Sequence, residues 1–159
     1  MSPDRGQRQS SRSAAEPAPI KIGPSSADSY EVVYFRRPSN GQMPGREFIN
    51  ALPTSLRARV RTVLAAVAAA PPMKFSGGGY WEAMHDEMTG WYELRCRHRN
   101  THYRVFCRLD SDAIGRDKPL LVIFDGRSKP LRTAFSDSEY AEVRELGEEY
   151  FAVNPRPLG

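Results

Sequence analysis

Apolar residues along this chain recur with two different periods, and turn-forming residues mark where one period gives way to the other. Glu31-Val32-Val33-Tyr34-Phe35 is a β-prone run, closed by the turn chemistry of Arg36 to Gly41. Pro44 sits where a helix can begin, and Phe48, Ile49 and Leu52 supply a short apolar stripe before Pro53 restarts the helical register. In the second helix Leu56, Val60, Val63, Leu64 and Val67 share a face, Arg57, Arg59 and Arg61 largely avoid it, and Pro71-Pro72 stops it. Phe75 to Gly90 reads as a glycine-rich loop carrying aromatics, with no readable conformation.

The period then changes to two. Trp91 to Arg97 and His102 to Leu109 alternate, with Asn100-Thr101 as the turn of a hairpin. Leu120 to Phe124 is apolar throughout, as expected of a strand covered on both faces, and Asp125-Gly126 is expected to end it. From Ser136 to Val153 the helical period returns in Tyr140, Val143, Leu146 and Tyr150, and Ser136 with Glu139 forms a capping box. No internal repeat is present. The pattern predicts one α+β domain over residues 30–153: a small, mainly antiparallel sheet, two N-terminal helices packed on one face, and a C-terminal helix. Residues 1–29 are polar and proline-rich and read as a disordered tail, and residues 154–159 as a flexible C-terminus.

Composition sharpens this picture in three ways. A chain of 159 residues suits one core. The longest apolar run, Val63 to Ala70, is far short of the about 20 residues a bilayer requires, and Met1 to Ser13 lacks the character of a signal peptide. A cytoplasmic protein without membrane contact is expected. Two cysteines, Cys96 and Cys107, are too few for a disulfide framework and read as buried hydrophobes.

Charge adds more than its total of +4 suggests, because it is unevenly placed. Trp91 to Arg108 holds five arginines against Glu93 alone, a local balance of +4, whereas Ser136 to Phe151 carries −5. Alternation puts Arg95 and Arg97, and Arg104, Phe106 and Arg108, on the hairpin face opposite Leu94 and Val105. Arginines interleaved with Phe106 and Trp91 suit a phosphate with a stacked base beside it; scattered charge on a solvated sheet face is the blander possibility. Arg127-Ser128-Lys129-Pro130-Leu131-Arg132 forms a second basic cluster, read as a loop beyond the buried strand that could close over the arginine face. Cys96, His98, His102 and Cys107 raise zinc, but alternation turns both cysteines inward, and no metal or cofactor is expected.

These residues carry a resemblance. The order of strand, two helices, three strands and C-terminal helix resembles the RelE/HigB toxin superfamily, in particular its phage Gp49-like branch. Tyr92-Glu93-Leu94-Arg95 looks like that branch's "ElR" strand, Tyr103-Arg104-Val105-Phe106 like its "yRvly" strand, and Val122 to Thr133 like its strand with a basic loop. Within that loop Gly126 and Ser128 stand where the family has Phe and the first Lys, leaving Lys129. The resemblance implies a RelE-like fold, a type II toxin paired with a cognate antitoxin, and a metal-independent endoribonuclease acting on mRNA at the translating ribosome. It implies Arg95 and Arg104 at the scissile phosphate, Lys129 at the leaving group, and Arg127 and Arg132 at flanking phosphates, with Arg97, Arg108 and Phe106 also binding RNA. Glu93, His102 and Tyr150 are candidates for the general base. The alternative is a non-catalytic RNA- or protein-binding module on the same fold.

Overall fold

A computed structural model describes residues 29–70 and 79–159 of the chain. The expected tail at 1–29, apart from Ser29, and the Pro71-Pro72 helix stop lie outside the described residues. The elements are β1 (Glu31–Tyr34), α1 (Pro44–Asn50), α2 (Thr54–Ala69), β2 (Trp81–Ala83), β3 (Trp91–His98), β4 (Thr101–Asp110), β5 (Leu120–Pro130) and α3 (Asp137–Phe151). The strands form one mixed sheet in the order β1-β5-β4-β3-β2, with β1 parallel to β5 and the other neighbours antiparallel. Among the described residues no helix is long and apolar enough to cross a membrane.

The two N-terminal helices follow the expected stripe. Ile49, Leu52, Leu56, Val60, Leu64 and Val67 are buried against Leu94, Cys96, Val105, Cys107 and Ile123, the aliphatic face of the sheet. The opposite face is not open, as the hairpin pattern alone suggests. There α3 lays Val143, Leu146 and Tyr150 over Val33, Trp91, Phe106, Val122 and Phe124, giving a second core. The helix starts at the expected capping box, Ser136 Oγ accepting from the Glu139 N–H and Glu139 from the Ser136 N–H. Its Gly147 allows the close approach, since a Cβ there would stand 2.6 Å from Trp91 Cζ2.

Three expectations are corrected. Asp125-Gly126 does not end the third strand: β5 continues to Pro130, so Arg127 and Lys129 are strand residues and only the end of the basic cluster is a turn. Gly126 is needed inside the strand because a Cβ there would collide with the Phe48 ring of α1. The aromatic stretch after the glycines supplies β2, whose Trp81 is buried and stacks on Tyr92 at 5.1 Å. Residues 154–159 are docked rather than loose. The Arg36 N–H donates to Pro157 O, the Gly159 N–H to Tyr34 O, and Phe35 bridges Leu158.

A buried polar knot fastens that segment. Tyr150 Oη donates to Asp110 Oδ2 at 2.8 Å, and Arg156 Nε donates to the same oxygen at 2.9 Å. Burial pushes the Asp110 carboxyl up, but the Asp112 N–H, the Tyr150 hydroxyl and Arg156 together hold it below the ordinary carboxylate range. A carboxyl held low in the folded state stabilises the fold above its unfolded pKa of about 3.9, and that contribution is lost as pH falls through the folded value. Asp110→Asn is therefore expected to lower the melting temperature at neutral pH. It should also flatten the decline on acidification relative to the wild type. Melting curves recorded as pH falls from neutral to acid check this; parallel declines would show that the knot does not titrate.

Candidate functional site

On the α3 side, β3, β4 and β5 bring nine side chains into three registered rows. Glu93, Phe106 and Asp125 form the row nearest the core, Arg95, Arg104 and Arg127 the middle row, and Arg97, His102 and Lys129 the row toward the sheet end. The rows exist because β5 carries a bulge opposite the Phe106/Cys107 step, where Phe124 has no opposite number on β4. Leu120, Val122 and Phe124 face α3 before it, and Asp125, Arg127 and Lys129 face the same side after it.

Like charges directly opposite in a sheet repel, so three arginines in one row need counter-charge. The neighbouring row supplies it. Glu93 Oε2 accepts from Arg95 Nε and Nη2 at 3.1 and 3.0 Å, and its Oε1 lies 3.2 Å from Arg104 Nε. Asp125 Oδ2 accepts from Arg127 Nε and Nη2 at 3.2 and 3.0 Å. Burial holds the Asp125 carboxyl above its usual range, against the opposing pull of the Gly126 N–H and Arg127. Helix α3 adds two more acids: Glu142 takes Arg127 Nη1 at 2.7 Å, and Glu139 pairs with Lys129 at 2.9 Å. Arg97 and Arg132 have no ion pair among the described residues.

Beside the middle row opens a cleft of about 750 Å³. Arg95, Arg97 and Arg104 line it from the sheet, Arg132 from the turn after β5, and Arg59 from α2; among the described residues no carboxylate lines it. Arg132 adopts a left-handed backbone conformation, with φ of 70°. His102 also faces the cleft, its Nε2 2.8 Å from the Thr133 carbonyl, while Nδ1 is buried without a partner. With Nε2–H as the donor to that carbonyl, the neutral ring keeps a lone pair on Nδ1.

The expected site residues therefore divide. Arg95, Arg97, Arg104 and Arg132 come together at the cleft. Arg127 and Lys129 lie on the same face and in register with it, but engage acids of α3. Phe106 is 1% exposed beneath Phe135 and Tyr140, so no ring face is open to a base. Arg108 lies farther along β4, opposite Trp91, with its guanidinium over the Trp91 and Phe151 rings, and burial lowers its pKa. It is packed rather than presented. Tyr150 is fully buried, bonded to Asp110, and pushed well above the ordinary phenol range by burial and that carboxylate, so it is no base for this cleft. Cys96 and Cys107 are buried as expected, and burial raises both thiols. Among the described residues no three His, Cys, Asp or Glu side chains gather as metal ligands. The sequence pattern, which sets Arg59 only off the apolar stripe of α2 and Tyr80 only in a glycine-rich loop, misses both at this cleft.

Glu93 is the counter-charge for two guanidiniums and is 6% exposed. Glu93→Gln keeps its size and removes the charge. The expected cost is about 1–3 kcal/mol, discounted because Arg95 is half-exposed. Added phosphate should recover stability in the variant more than in the wild type, because an anion on the arginines replaces the lost carboxylate. Thermal melts with and without phosphate test it, and a variant that melts like the wild type in both would remove Glu93 from this role.

The chain matches no family model, no curated protein and no solved structure.

Proposed function

We propose that this protein is an endoribonuclease of the RelE/HigB toxin kind, with a RelE-like fold, acting on mRNA at the ribosome and held in check by an antitoxin. One observation carries the reading: Arg95 and Arg104 stand opposite each other in a cleft whose described lining holds five arginines and no carboxylate. Such a wall suits a polyanion and the extra charge of a phosphorane. The order of elements and the placement of two helices on the aliphatic face support the same family reading.

In the proposed reaction the RNA 2′-oxygen bonds to the adjacent phosphorus and the bond from phosphorus to the 5′-oxygen breaks. Arg95 and Arg104 stabilise the charge that develops on the non-bridging oxygens, and Lys129 serves the leaving 5′-oxygen. Arg97 and Arg132 hold neighbouring phosphates, and Arg127, tied to Asp125 and Glu142, stiffens the row. Glu93 is paired with two arginines, the lone-pair nitrogen of His102 is buried and Tyr150 is bonded to Asp110, so none of the three presents an open acceptor to the cleft and the 2′-hydroxyl proton passes to solvent water.

Arg95→Ala and Arg104→Ala are each expected to slow single-turnover cleavage of ribosome-bound mRNA on the order of a hundredfold. The double variant should lose less than the product of the single losses, since both arginines serve one oxyanion. Lysine at either position should restore activity only in part. Each alanine variant also leaves Glu93 with one partner, so melts accompany the rates. Wild-type rates in both folded variants would show that the row is not the active site. A second reading has its own support: α3 already seats Glu139 and Glu142 on Lys129 and Arg127, so this face accepts acidic protein. RNA binding without cleavage, or capture of an acidic partner after nuclease treatment, would favour that non-catalytic module.

A further inference from the structure

The cleft does not stop at the arginine row. β2 pairs with β3 only from Tyr92 to Leu94, after which the Arg95 N–H donates to Tyr80 O at 2.8 Å. Beyond that bond no described strand covers the outer edge of β3. Its Arg97 carbonyl, left pointing outward, accepts from Arg59 Nη2 of α2 at 2.8 Å. The bond anchors one arm of the Arg59 guanidinium at the sheet edge, beside the Cys96 thiol, and the exposed side chain keeps N–H groups for a ligand. The Arg97 side chain is exposed on the opposite face. Tyr80 lines the same corner, and the residue is 64% exposed although its backbone is tied to β3. An exposed aromatic at a fixed backbone position, lining one cleft with two guanidiniums, belongs to neither core.

We propose that Tyr80, Arg59 and Arg97 form a nucleotide subsite where a single-stranded chain turns around the outer edge of β3, next to the end of β2. The base lies on the Tyr80 ring and its phosphate lies between the two guanidiniums. The proposal deepens the ribonuclease reading and rests on it for the identity of the polyanion. Single-strandedness follows from the ring: a base inside a duplex is covered on both faces by its neighbours and has none to offer Tyr80. An acidic peptide would satisfy the guanidiniums but leave the ring without a planar partner.

The test is fluorescence anisotropy at fixed salt with an RNA of about ten nucleotides, single-stranded and annealed to its complement, and with polyglutamate. Tyr80→Ala should weaken single-strand binding roughly 5- to 150-fold, the range for losing one base–aromatic stack, and leave duplex binding within about twofold. Tyr80→Phe should bind like the wild type. Arg59→Ala should weaken single-strand binding and lower the salt slope by about one ion. Equal losses on single strand and duplex, no loss on either, or tighter binding to polyglutamate than to RNA would overturn the subsite. Cleavage by the same variants separates the two readings. Tyr80-independent binding with cleavage intact overturns the subsite alone. Tyr80-dependent binding by a wild type that never cleaves overturns the ribonuclease and leaves the subsite standing.

Discussion

Repulsion among Arg95, Arg104 and Arg127, side by side across three strands, is the constraint around which this sheet is organised. Directly opposed side chains stand about 5 Å apart at Cβ. At that spacing two unit charges repel by on the order of 3 kcal/mol in a partly screened environment. A row of that kind survives only where carboxylates sit beside it. Glu93 and Asp125 occupy the adjacent row and are themselves buried, so each acid is held by the arginines as firmly as it holds them.

Helix α3 divides the basic face. Its apolar stripe covers the Trp91 and Phe106 end, and its acids reach Arg127 and Lys129. What remains is narrower than the charge pattern alone implies and better defined. Arg95 and Arg104 keep their geometry through Glu93, while Arg97 and Arg132 have no ion pair among the described residues. Positive charge is thus graded from neutralised at the core to unmatched at the cleft mouth, and an incoming phosphate meets the uncompensated guanidiniums first.

Much of this was legible in the residues, for physical reasons that also explain what was not. Alternation in the hairpin gave the face of Arg95, Arg97, Arg104 and Arg108, and the capping box gave the start of α3. The path of α3 was not readable, because an amphipathic stripe says that a face is covered and not which sheet face receives it. That gap made Phe106 look like a stacking platform when it is core. β5 looked short because Gly126 resembles a terminator, whereas it is the only residue that fits beneath Phe48. Arg59 and Tyr80 were invisible as a pair: they are distant in sequence and meet only where β2 stops short. The docked C-terminal residues carry too little apolar pattern to betray a partner, and Asp110, which anchors them, lies far up the chain.

The bulge in β5 gives that strand something like a reading frame. Its first half obeys one parity, burying Leu120, Val122 and Phe124 beneath α3, and its second half obeys the other, presenting Asp125, Arg127 and Lys129 on the same side. Substitutions along the strand act one position at a time. Loss of Phe124 alone would close the bulge and leave a single parity with Asp125, Arg127 and Lys129 still on the α3 side, whereas loss of Gly126 would turn Arg127 and Lys129 toward α1 and set Ser128 among the arginines. Arg127 would then fall where the Phe48 ring leaves room for glycine alone, so the frame of the strand and its packing are guarded at one position.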